Sequence, residues 1–230
     1  MVVGEGITFQ LDSGDALGIV GPNGAGKTSL FSMISGDIAP DSGVISFDGA
    51  DLGHLSANRR ARAGIGRTYQ VPRPFEHMTV FENTLLAAQQ GAKLRGQRSY
   101  DAAYGALDRT GLGDFANRRA GSLTLLHRKR LELGRALATS PRVLLLDEIA
   151  GGLTDLEVNL LTEIIRDLRH DGIAVVWIEH VVRALVSTVD RLLCLAGGVI
   201  VADGEPKEVL ASEAVRSVYL GGKRIVEGVS

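Results

Sequence analysis

The chain has 230 residues, 45% of them apolar, with 25 basic and 27 acidic side chains and a net charge of −2. That balance gives no overall attraction to nucleic acid. The longest uncharged apolar stretch, Leu192–Ala202, is broken by two glycines and falls short of the ~20 residues that cross a bilayer.

The elements are read in chain order. Met1-Val2-Val3-Gly4-Glu5 lacks the basic and apolar regions of a secretory signal. Ile7–Leu11 alternates as a short strand does, and Val44–Phe47 reads as another. Ala16–Val20 is nearly all apolar and predicts a buried strand. Gly21-Pro22-Asn23-Gly24-Ala25-Gly26-Lys27-Thr28, followed by Ser29, matches G-x-x-x-x-G-K-[ST] between this strand and a helix stopped at Gly36. The glycines at 21, 24 and 26 let the backbone turn its N–H groups around a phosphate chain. Lys27 adds a cation at the β- and γ-phosphates, and the Thr28 hydroxyl suits Mg²⁺. The helix N-terminus points its dipole at the same place.

From Phe81 to Thr139 the strand signal vanishes, and several helices are expected. Arg128-Lys129-Arg130 in that stretch reads as a solvated helix face. Val143–Leu146 is an apolar strand ending in Asp147 and Glu148. In a parallel sheet, ligands gather at such strand ends. Asp147 is therefore a candidate for holding Mg²⁺, and Glu148 for polarising the attacking water. Thr154 and Glu157 form a capping box ahead of the Leu160, Leu161, Ile164, Ile165, Leu168 stripe, which ends at His170-Asp171-Gly172. Ile173–Ile178 is a buried strand leading to Glu179 and His180, the latter a candidate γ-phosphate sensor. Arg191–Leu195, Gly197-Gly198 and Val199–Val201 have the signature of a hairpin. The lone Cys194 is a small buried hydrophobe. These readings give an α/β nucleotide-binding core with a parallel sheet, interrupted by a helical insertion.

Taken together, the residues resemble the ATPase subunit of an ATP-binding cassette (ABC) transporter, over nearly the whole chain. Gly21–Thr28 resembles its Walker A loop, Gln70 its Q-loop, and Val143–Glu148 its Walker B strand with the catalytic glutamate. Gly152–Asp155 resembles the D-loop and His180 the H-loop. The subfamily most similar is that of branched-chain amino acid import. The similarity lies in Gly64–Gln70, Met78–Asn83, Arg130–Ala138 and Tyr219-Leu220-Gly221.

The resemblance implies a P-loop NTPase, RecA-like core with an antiparallel β-subdomain and an inserted helical subdomain. The core would span 1–70 and 141–230, and the helical part 71–140. It implies ATP and Mg²⁺ as cofactors, with Glu148, His180 and Gln70 in catalysis and Thr28, Gln70 and Asp147 around the metal. Thr124 would touch the ATP of a second ATPase subunit. Further implied partners are integral membrane permease subunits and, indirectly, a solute-binding protein. The chain would work at the cytoplasmic face of the membrane, without nucleic acid. Alternatives are a lipopolysaccharide-export ATPase of the same family or, from another class, a P-loop kinase.

The sequence departs from the family pattern in several places. Leu123-Thr124-Leu125-Leu126-His127 stands where the signature is usually Leu-Ser-(Gly or Tyr)-Gly-(Gln or Glu), so Leu126 is expected to crowd the partner's γ-phosphate. That suggests an asymmetric pair with a different second ATPase. Ile149 replaces the usual proline after the glutamate. Family members carry a first strand and an adenine-stacking aromatic upstream of Ile7. Here no aromatic precedes it, so either the start is truncated or adenine is held differently.

Overall fold

The four apolar runs at 16–20, 143–146, 173–178 and 191–195 all lie in one six-stranded sheet. This is a computed structural model describing residues 4–221; Met1–Val3 of the opening lie outside the described residues. In chain order the elements are β1 Ala16–Val20, α1 Lys27–Ser35, β2 Ser46–Phe47, β3 Ala50–Asp51, α2 Ala57–Ala63 and β4 Ile65–Arg67. There follow α3 Val80–Gln90, α4 Gln97–Arg109 and α5 Leu125–Leu137. Then come β5 Val143–Asp147, α6 Asp155–His170, β6 Ala174–Ile178, α7 Val182–Val186, β7 Arg191–Ala196, β8 Val199–Gly204, α8 Pro206–Ala211 and α9 Glu213–Gly221.

The sheet order is β4-β5-β6-β1-β7-β8, parallel except for β8. Alternation along each strand separates two cores. Leu144, Leu146, Val175, Trp177, Leu192 and Cys194 pack with Leu161, Ile165 and Leu168 of α6 on one face. Leu17, Ile19, Leu145, Val176, Ile178 and Leu193 pack with Leu30 and Phe31 of α1 on the other. Burial on both faces explains why these strands read as unbroken apolar runs. Val80 of α3, Leu107 of α4 and Leu131 of α5 build a separate cluster with Leu112 and Leu123 of the α4–α5 connection.

Several local expectations hold. Gly36 closes α1 at φ 84°. Thr154 and Glu157 form the reciprocal cap of α6. Gly197 and Gly198, at φ 57° and 83°, turn the β7–β8 hairpin. Others are corrected. Ile7–Leu11 is no strand, because no described segment offers it a ladder; its alternation instead seats Ile7, Phe9 and Leu11 against the α1 face. The Val44–Phe47 strand shrinks to Ser46–Phe47, paired with Ala50–Asp51 across Asp48-Gly49. Leu160 leaves the α6 stripe and faces outward, while Val158 joins it.

Candidate active site

The register sets the site. Asp147 lies beside Ile178, and Ile178 beside Ile19, so β5, β6 and β1 end in one rank. Whatever follows each strand therefore emerges along one edge: Glu148, the Glu179-His180 pair and the loop from Gly21.

That loop needs glycine at its start. A β-carbon on Gly21 would lie 2.0 Å from the Leu195 carbonyl oxygen, and φ is 151°. Gly24 and Gly26 also have positive φ, at 80° and 101°. Pro22, Asn23 and Ala25 fill the turn, and Thr28 and Ser29 open α1, with Thr28 exposed. Lys27 is buried, and its Nζ donates to the carbonyls of Gly21 at 2.7 Å and Pro22 at 3.0 Å. Burial lowers the Lys27 pKa, while Glu148 and Asp147 oppose the shift.

The two carboxylates at the end of β5 differ in surroundings. Asp147 is buried and faces Arg67 Nη2 at 3.4 Å; its N–H donates to Thr68 Oγ1 at 3.3 Å. Burial raises its pKa, and Arg67 pulls against that. Glu148 is partly open. Gln70 Nε2 donates to its Oε2 at 2.5 Å, and His180 Nε2 lies 3.0 Å from its Oε1. Three residues named from separate motifs thus meet at one carboxylate. Glu148 itself adopts φ 48°, with its N–H bonded to Ile178 O at 2.9 Å.

The donor set fits Mg²⁺. The Thr28 hydroxyl, an Asp147 oxygen and the amide oxygen of Gln70 are all hard oxygens. Gln70 spends its nitrogen on Glu148, and among the described residues its amide oxygen has no hydrogen bond. No described group of three His, Cys, Asp or Glu side chains forms a complete cage. A cation that shares its ligands with phosphates needs none.

Thr124 caps α5, with Oγ1 3.5 Å from the His127 N–H and 3.0 Å from its Nδ1. The expected obstruction by Leu126 is corrected. Leu126 is 8% exposed, while Leu125 is 45% exposed. The first turn of α5 turns Leu126 inward, so the side chain on the open face is that of Leu125.

Four participants escaped the sequence reading: Arg67, Thr68, Lys129 and Glu179. The basic run is not a solvated face, since Lys129 is buried and Arg128 is tied to the carbonyls of Leu123 and Gly121 at 3.0 and 2.8 Å. Glu179 had one usable signal, its place at the C-terminal end of a buried parallel strand.

Known proteins resemble this chain along most of its length. A family model described as ABC transporter matches residues 5–151. The lipopolysaccharide export system ATP-binding protein LptB of Haemophilus influenzae is 34% identical, over 94% of this chain and 89% of that one. The high-affinity branched-chain amino acid transport ATP-binding protein BraF of Pseudomonas aeruginosa is also 34% identical, over 94% and 91%. The crystal structure of an ATP-binding cassette of an ABC transporter, in its ADP conformation, superposes with a TM-score of 0.85 at 29% identity, covering 95% of this chain and 92% of that one.

Proposed function

The chain belongs to the ABC transporter family, and we propose that it is the ATP-hydrolysing subunit of an importer for branched-chain or related amino acids. The observation that supports ATP hydrolysis is the meeting of Gln70 and His180 at Glu148, and similarity to BraF supports the amino acid solute. Gly21–Ser29 would wrap the phosphates, and Lys27 would leave its loop carbonyls for the β- and γ-phosphates. Thr28, Asp147 and the Gln70 amide oxygen would hold Mg²⁺, which neutralises phosphate charge when bound.

Glu148 takes a proton from water as the water oxygen bonds to the γ-phosphorus. The bond from that phosphorus to the bridging oxygen breaks, and ADP and phosphate leave. Gln70 and His180 orient the Glu148 carboxylate, and His180 also meets the γ-phosphate. Residues 1–70 and 141–230 form the ATP-binding body. Residues 71–140 form the arm that passes its motion to permease subunits at the cytoplasmic face of the membrane, with Val71–Phe75 as the contact. Val71 and Phe75 are exposed there. Among the described residues, no helix is long and apolar enough to cross a membrane. Thr124 would serve the ATP of a second ATPase subunit, and a solute-binding protein would act indirectly. No nucleic acid enters this scheme.

Similarity to LptB favours a second reading, lipopolysaccharide export, with the same chemistry and different membrane partners. Purifying the native membrane complex and identifying its subunits separates the two. For the chemistry, Glu148→Gln should keep ATP binding and lose about 10²–10⁴-fold in turnover. Near-normal turnover in that variant rejects the assignment.

A further inference from the structure

Two further ionisable side chains, Glu179 and Lys129, are buried next to the Glu148 and His180 backbone. Glu179 is 1% exposed and joins β6 to His180. Its Oε1 accepts the Ala150 N–H at 2.6 Å. Its Oε2 accepts the N–H groups of His180 at 2.9 Å and Val181 at 3.2 Å. One carboxylate therefore ties the turn after Glu148 to the turn that carries His180. Lys129 of α5 is 5% exposed, and its Nζ donates to the Glu148 carbonyl at 3.3 Å.

What these contacts hold is an unfavourable conformation. Glu148 sits at φ 48°, where a side chain crowds its own backbone. Strain of this kind persists only where the surroundings over-determine it. Here the Glu148 N–H is fixed by Ile178 O at 2.9 Å and its C=O by Lys129. Burial lowers the Lys129 pKa and raises that of Glu179, and the charge of each opposes the shift of the other.

We propose that Lys129 and Glu179 are positioning residues. Lys129 clamps the Glu148 peptide, Glu179 locks the Ala150 and His180 turns together, and jointly they hold the Glu148 carboxylate against His180. The role rests on the reading of Glu148 as the base. Neither residue need touch ATP, so the two should govern turnover and not affinity. A carboxylate at 179 can accept on both oxygens. A glutamine there turns an NH₂ toward an N–H group and must release one of the two turns.

The test uses the native complex with Lys129→Met, Lys129→Arg, Glu179→Gln and, as reference, Glu148→Gln. ATP turnover is compared with ATP affinity from calorimetry, and thermal unfolding confirms folding. Lys129→Met and Glu179→Gln should lower kcat by about ten- to a hundredfold, the range expected when a reacting group is misplaced by about 1 Å. ATP affinity should stay within about twofold, because the phosphate contacts remain. Lys129→Arg restores the donor and should recover most of the rate. A folded Lys129→Met or Glu179→Gln complex with wild-type kcat overturns the proposal. So does a rate loss matched by an equal loss of ATP affinity, or a Lys129→Arg no better than Lys129→Met. If Glu179→Gln fails to fold, the two Lys129 variants decide. An active Glu148→Gln overturns the parent reading; an inactive one beside a normal Lys129→Met overturns only the positioning role.

Discussion

Two glycines of the phosphate loop should respond differently to the same added methyl group. At Gly24 a β-carbon meets nothing within 4 Å, and only the positive φ of 80° resists it. Left-handed backbone costs a non-glycine residue about 1–2 kcal/mol. At Gly21 φ is 151° and the β-carbon would stand 2.0 Å from the Leu195 carbonyl oxygen. Close carbon–oxygen contacts lie near 3.3 Å, so the loop and β7 must part by roughly 1.3 Å. Such overpacking adds about 1–3 kcal/mol to the backbone term. In a chain of this size 1 kcal/mol lowers Tm by about 2–4 °C. Gly24→Ala should therefore lose roughly 2–8 °C, and Gly21→Ala, at about 2–5 kcal/mol in all, roughly 4–20 °C. Because the clash pushes the loop itself, Gly21→Ala should also bind ATP more weakly than Gly24→Ala. Differential scanning calorimetry and isothermal titration measure both. Equal Tm and equal ATP affinity in the two variants would refute the argument from the Leu195 contact.

Lys27→Ala should lose nucleotide affinity that Glu148→Gln keeps, since it removes the buried cation whose Nζ lies on the loop carbonyls; equal ATP binding by the two in calorimetry would contradict this. Leu126→Gly empties a buried site and should cost about 2–5 kcal/mol, whereas Leu125→Gly should cost about 1 kcal/mol, the helix propensity of an exposed position. Urea unfolding decides, and a reversed order would return Leu126 to the open face. His127, stacked on Phe115, has its pKa lowered by burial and then by Arg130 and Arg118, against Glu157. The unfolded chain then takes up the proton first. Wild-type stability should fall as pH drops through the ordinary histidine value of about 6.5 and level off below the folded pKa. His127→Gln should lack that step, and a His127 ring titrating at or above the ordinary value by NMR would refute it.

The sequence discloses those parts of the site in which local chemistry and position coincide. The phosphate loop is legible because glycine, lysine and threonine at fixed spacing have few other uses. The β5 and β6 ends are legible because burial on both faces makes a strand read as an apolar run. β4 is hidden because it has only three residues, Ile65–Arg67, and its central Gly66 makes room for Pro141 and Leu144. No alternation can show in that length. Ile7–Leu11 fails in the opposite way: alternation reports a half-buried surface, and only a neighbour turns such a surface into a strand. Lys129 and Leu126 were misplaced because charge and apolarity say nothing about which side of a short helical turn faces the core.

The carboxylates at 147 and 148 show how the fold divides labour between neighbours. Successive strand residues point to opposite faces, so an extended chain would separate them. The left-handed turn at Glu148 ends that alternation at the last residue of β5. Both carboxylates then act electrostatically on Lys27. Asp147 stays within the sheet, buried against Arg67, where it suits a fixed role beside a cation. Glu148 leaves the sheet, partly open between Gln70 and His180, where water can reach it. The strained φ is thus the geometric condition that the proposed roles of ligand and base on consecutive residues require. It also explains why the clamp from Lys129 falls on the Glu148 carbonyl, the next peptide group after the strained angle.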